Sequence, residues 1–291
     1  MPDHKQDQDQ DQGQGQGRAP RNGWAPQTGV FLAVAFLAAG LCGALQPATG
    51  IPPQVLQLTQ FGPALAVAAA ALLWPGRIRD RLTGTLPARS KGPADHEARL
   101  PSGNRAALLL TPALMTALSA GGALLTSGSL PVTSPQAFAH PLTLLVTAQL
   151  IGACAEEIGW RCYLQPLLRT RFGPITASVL VGTAWGLWHV PALTQEPAYA
   201  AGFLTATIAM SVILGLALEH VRSNRLLLAG GFHTLVNLGM LFVTDETSPA
   251  TAPMAVFGAA CLAAALPWIA SARRTATTPV RITAATADGP R

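Results

Sequence analysis

Charge is what this sequence has least of. Asp, Glu, Lys and Arg make up 11% of its 291 residues, against about a quarter in an average soluble domain. Tyrosine occurs twice, and the four cysteines, Cys42, Cys154, Cys162 and Cys261, form no Cys-x-x-Cys pair. The lack of charge excludes an ordinary soluble domain. The cysteine spacing excludes a disulfide framework or a thiolate zinc site, so the four thiols read as small core residues in or beside apolar segments. No His-Glu-x-x-His helix is present, and no run of basic residues is interleaved with aromatics. A pI near 9.5 therefore points to membrane topology and anionic lipid rather than to nucleic acid.

What is abundant is Ala, Leu, Gly and Val, with a mean hydropathy of +0.34. A helix needs about 20 apolar residues to cross a bilayer. Segments 28–46, 55–75, 106–126, 142–165, 174–194, 202–220, 225–243 and 252–271 approach or meet that need. Pro52–Pro53, Pro75–Gly76, Pro131, Gly173–Pro174 and Pro249 punctuate them. The expected fold is all-α, a polytopic transmembrane bundle of about eight spans over residues 28–272. The head, MPDHKQDQDQDQGQGQG onward to residue 27, and the stretch 273–291 are too polar to order themselves and read as disordered tails. No A-x-A cleavage site closes the first apolar run, which reads as a retained span.

Charge placement tests the map independently. If the connections alternate sides, starting inside, all 19 Lys and Arg residues fall on one side or at its helix ends. Arg77, Arg79, Arg81, Arg89, Lys91, Arg99 and Arg105 sit in one loop, whereas the opposite loops hold Glu196, Asp245 and Glu246. The positive-inside rule then places both termini in the cytoplasm, in a multi-pass protein of the cell membrane.

Ionisable residues inside the spans are costly, at least ~2.5 kcal/mol each at mid-bilayer, and mark functional sites. They gather in three strings: CAEEIGWRCYL with Glu156, Glu157 and Arg161; TAWGLWHVP with His189; and GFHTLVNLG with His233 and Asn237. Glu156 and His189 lie almost equally far from the turn signal Phe172–Gly173–Pro174, so an antiparallel hairpin sets them at similar depth. Glu157 and Arg161 are four apart and pair along one helix, which turns Glu156 towards the side of Trp160. His233 and Asn237, also four apart, share one helix face. Trp185 and Trp188 read as core or cavity wall.

Glu-Glu-x-x-x-Arg, aromatic-x-x-x-His (Trp185 to His189) and His-x-x-x-Asn, in this order and each on its own span, resemble the CPBP family of intramembrane proteases. That family includes type II CAAX prenyl proteases and bacteriocin-processing or immunity proteins. The resemblance covers about residues 140–245, with Trp185 where Phe is more usual. It implies an intramembrane endopeptidase acting on peptide or membrane-associated protein substrates. Glu156 and His189 would activate water, His233 and Asn237 would hold the oxyanion, and Glu157 and Arg161 would support them.

The resemblance favours glutamate chemistry without a cofactor. The alternative is a zinc metalloprotease with Glu156, His189 and His233 as ligands. Two other classes compete. A transporter with a proton relay would show inverted repeats, whereas here the polar residues are confined to the second half of the chain. A non-catalytic immunity or peptide-binding membrane protein would keep the same cavity without the chemistry.

Overall fold

Proline begins most of the helices in this chain. Pro63, Pro75, Pro166, Pro174, Pro191 and Pro197 each occupy the first or second position of a helix, where the missing N–H is unpaired in any case and the fixed φ suits the first turn. The computed structural model describes residues 23–83, 85–86, 102–128, 132–134, 138–221, 223–243 and 251–277. The helices are α1 (Trp24–Thr49), α2 (Gly62–Leu73), α3 (Pro75–Arg81), α4 (Ser102–Ser127), α5 (Leu142–Gly159), α6 (Gln165–Arg169), α7 (Pro174–Trp188), α8 (Val190–Leu193), α9 (Pro197–Ala217), α10 (Arg225–Val243) and α11 (Thr251–Thr277). A 3-10 turn, Leu58–Phe61, leads into α2, and a π-helical turn, Trp160–Leu164, joins α5 to α6. No strand occurs among the described residues.

All eight apolar segments expected from the sequence are helical in their main part, but they are not equal. Among the described residues six helices, including α5 to α6 taken as one from Leu142 to Arg169, are long and apolar enough to cross a membrane. Segment 55–75 yields only the 3-10 turn and the 12 residues of α2, roughly 18 Å against a hydrocarbon core of about 30 Å. Segment 174–194 yields 15 residues of α7, which stop at Trp188. Pro191 follows closely and cannot extend the helical ladder. Leu37, Leu41, Leu45, Leu72, Leu125 and Leu266 are well exposed on the helix surfaces. Six helices of spanning length, with leucines facing outward on several elements, make this an integral membrane protein.

Both expected tails lie mostly outside the described residues, as does most of the Arg-rich loop after α3. Their inner edges belong to the bundle. α1 starts at Trp24, whose ring packs edge-on to Phe172 with centroids 5.4 Å apart. Gln27 is buried and accepts a hydrogen bond from Arg81. α11 runs on to Thr277, past Ala272.

α9 forms the centre, packed against α7 on one side and α11 on the other. The α9–α11 contact depends on small residues: a Cβ on Gly258 would stand 2.5 Å from the Gly202 carbonyl oxygen, so the two backbones touch directly. α10 packs against α4 and α5, and α1 packs against α2, which in turn lies against α5. Arg169 on α6 and Glu219 after α9 form an ion pair, with Arg169 Nε 2.8 Å and 2.9 Å from the two carboxylate oxygens. It ties the α6–α7 turn to the end of α9.

Candidate active site

Two features of backbone geometry place the polar residues. The first is the π turn. Pro166 has no N–H, and its ring crowds the carbonyl four residues back, so the helix widens upstream. The Gln165 N–H then bonds to the Trp160 carbonyl, five residues back. All five residues of that turn, Arg161 among them, are buried. The second is the end of α7, where His189 leaves the helix at φ −80°, ψ 63°. Its ring turns back on the helix and Nδ1 lies 2.9 Å from the Trp185 carbonyl. A carbonyl only accepts, so Nδ1 carries the proton and Nε2 is left as an acceptor in the neutral ring.

Glu157 and Arg161 pair as the spacing suggests, with Oε2 to Nε at 3.3 Å and neither side chain more than 1% exposed. Glu157 has a second partner. Its Oε1 lies 3.0 Å from His233 Nδ1, so one carboxylate bridges the Arg of its own helix and the His of α10. Asn237, one turn after His233, donates to Gln149 Oε1 at 2.9 Å, and among the described residues its second amide hydrogen is uncommitted. The shared face of His233 and Asn237 thus lies along α5.

Glu156 is 1% exposed, and its surroundings differ from those expected. It is held by Trp185, whose indole Nε1 donates to Oε2 at 2.8 Å, and by Gln60, whose amide donates to Oε1 at 3.2 Å. No hydrogen bond joins Glu156 to His189 among the described residues. Trp185 links them instead, through its side chain to the carboxylate and through its backbone to the imidazole. The Trp185 ring is 5.1 Å from that of His233 and 6.0 Å from that of His189, both edge-on. The Arg161 guanidinium sits over it at 5.0 Å. Trp188 and Phe203 enclose His189 further, at 4.9 Å and 5.0 Å.

Gln60 and Gln149 are thus parts of the site that the sequence reading left out, and Trp185, read as core or cavity wall, is also a hydrogen-bond donor to Glu156. Gln60 and Gln149 carried one available signal, an amide inside an apolar segment. Trp185 carried another, an N–H where the related motif has Phe.

As a zinc site the ligands would be Glu156, His189 and His233. Among the described residues no group of three or more His, Cys, Asp or Glu side chains is placed to hold a metal ion, so this donor set does not gather three zinc ligands as it stands.

The fold and this site define a class: a helical integral membrane protein with buried carboxylates and imidazoles assembled across its spans. Residues 138–239 match the family described as type II CAAX prenyl endopeptidase Rce1-like. CAAX prenyl protease 2 of Methanococcus maripaludis is 32% identical over 112 residues, which are 34% of this chain and 41% of that protein. Lysostaphin resistance protein A of Staphylococcus aureus is 26% identical over 106 residues, 36% of this chain and 25% of that protein. The chain spans less than half the length of either relative. The family resemblance carried by the three motifs is borne out over this stretch, which contains all of Glu156, Glu157, Arg161, His189, His233 and Asn237.

Proposed function

We propose that this protein is an intramembrane endopeptidase that hydrolyses peptide bonds of peptides or membrane-associated proteins. The observation that carries the proposal is the state of Glu156: a buried carboxylate held at both oxygens by N–H donors, next to an indole against which both histidines pack. Such a group is fixed in place, and each oxygen keeps a lone pair for water.

In the proposed reaction Glu156 and the free Nε2 of His189 hold one water. Glu156 takes a proton from it as its oxygen attacks the scissile carbonyl carbon. The carbonyl π electrons move to oxygen, and the oxyanion is met by the second amide hydrogen of Asn237 and by His233 Nε2–H. Nδ1 of His233 is committed to Glu157, so Nε2 bears a proton only in the imidazolium, whose charge the Glu157 carboxylate balances. Collapse of the tetrahedral intermediate breaks the C–N bond, and the proton held by Glu156 passes to the leaving amine. Water is the sole co-reactant, and the products are a carboxylic acid and an amine. No step uses a metal.

The names of the relatives, a CAAX prenyl protease and a lysostaphin resistance protein, support a peptide or protein substrate. The arginine distribution supports a cell-membrane, multi-pass topology with cytoplasmic termini and a site in the cytoplasmic half. The test is cleavage of a quenched-peptide library by the detergent-purified protein, with Glu156→Ala and EDTA arms. Activity lost in Glu156→Ala and retained in EDTA is the expected result. Loss in EDTA moves the site to zinc. A folded protein that cleaves nothing leaves a peptide-binding or immunity role.

A further inference from the structure

One of the two donors on Glu156 lies outside the stretch 138–239 that matches the Rce1-like family. Gln60 belongs to the 3-10 turn before α2, 96 residues from Glu156 in the chain. Its side chain is 7% exposed, its Nε2 reaches Glu156 Oε1, and its own Oε1 has no partner. The orientation of the amide follows from charge: the carboxylate needs a donor, so nitrogen faces it. An amide buried with one end unpaired costs stability. A residue present only for packing would be better as Leu or Met.

The surroundings are shaped to this amide. Gly152 lies one turn before Glu156 on α5, and a Cβ there would stand 2.1 Å from Gln60 Oε1 and 2.6 Å from its Cδ. Any side chain at 152 would push the amide away. The backbone leading to Gln60 is fixed by Gln46 at the end of α1. Gln46 Nε2 donates to the carbonyls of Ile51 (2.8 Å) and Leu56 (3.0 Å), and its Oε1 accepts from the Leu58 N–H at 2.7 Å. The polar chain therefore runs from Gln46 through the turn to Gln60 and on to Glu156.

We infer that Gln60, seated by Gly152, is a positioning residue for Glu156, and that the α1–α2 region thereby takes part in the reaction. The inference rests on the reading of Glu156 as the base. With Trp185 it forms a two-donor clamp that fixes the carboxylate plane towards the water.

The experiment compares the full-length detergent-purified wild type with Gln60→Met, Gly152→Ala and Glu156→Ala, using the best peptide from the library. Methionine keeps the volume of Gln60 and removes the donor. The expected result for Gln60→Met is a kcat lower by roughly ten-fold or more, as for a hydrogen bond to a charged group. KM changes by less than about two-fold, and the acid limb of the rate profile moves to higher pH. A carboxylate that loses an N–H donor is protonated more readily. The other charged or titratable groups around Glu156 are Glu157 and Arg161 on its own helix, His189 after α7 and His233 on α10. All are unaltered in these variants, so the displaced limb reports the lost donor. Gly152→Ala, which keeps Gln60 but displaces its amide, gives the same split and the same displacement.

An unmoved acid limb in both variants, with only lower thermal stability, overturns the inference. If Gln60→Met does not fold, Gly152→Ala decides alone. An active Glu156→Ala overturns the base reading itself, a result separate from an inactive Glu156→Ala beside unaltered Gln60 and Gly152 variants.

Discussion

The pair Glu157–Arg161 offers the sharpest energetic test, because both charges are almost fully buried and their partners are unequal. At 3.3 Å two unit charges attract by about 5 kcal/mol with an effective dielectric constant of 20. Much of that is offset by desolvation, so the pair as a whole adds little to stability, whereas removing one member strands the other at about 3–5 kcal/mol. The structure says which single change is worse. In Arg161→Met, Glu157 keeps His233 Nδ1 at 3.0 Å, which sets the cost near 3 kcal/mol. In Glu157→Gln, Arg161 keeps only the Trp185 face and the charge of Glu156, since none of its three guanidinium nitrogens has a hydrogen-bond partner; the cost is near 5 kcal/mol. The double variant Glu157→Gln/Arg161→Met removes both members of the pair and leaves His233 beside an uncharged amide, where the neutral ring suffices, so it costs less than either single change. Unfolding by SDS titration in mixed detergent micelles, run as a double-mutant cycle, measures all three. A double variant as unstable as the sum of the singles, or a neutral Glu157→Gln, would refute the reasoning.

Two further outcomes follow from the geometry. Asn237→Ala removes a proposed oxyanion donor and lowers kcat by about 10²–10³-fold with the fold retained; steady-state kinetics on the library peptide measure it, and a loss below ten-fold removes Asn237 from that role. Gly258→Leu forces apart the α9 and α11 backbones at Gly202 and lowers stability in the SDS titration by about 1–3 kcal/mol or more; wild-type stability would mean that the close contact is not needed.

Relations within one helix were legible in the sequence. The four-residue spacings gave Glu157 with Arg161 and His233 beside Asn237, both of which the structure bears out. The hairpin was legible because its turn is written in Phe172–Gly173–Pro174, and α7 does start at Pro174. Apolarity located every described spanning helix. It did not show that 58–73 and 174–188 are short, because α2 is preceded by a 3-10 turn and α7 is cut by the Pro191 that follows it.

Relations between helices were not legible. Helical spacing says which residues share a face but not which neighbour that face meets. The Glu157–Arg161 pair was expected to turn Glu156 to the side shared with Trp160, but spacing within one helix could not say which groups of other elements Glu156 meets. They are Trp185 and Gln60. Trp185 was read as core or cavity wall, and it is buried; what burial cannot reveal is that the one polar atom of the ring is aimed at a carboxylate. A buried indole N–H needs an acceptor, and a buried carboxylate needs donors. Each therefore restricts the places open to the other, and in an apolar bundle few alternatives remain. The polar groups of this site find one another largely because the surrounding lipid and leucine offer them no other partner, which is why residues as far apart in sequence as Gln60 and Trp185 converge on Glu156.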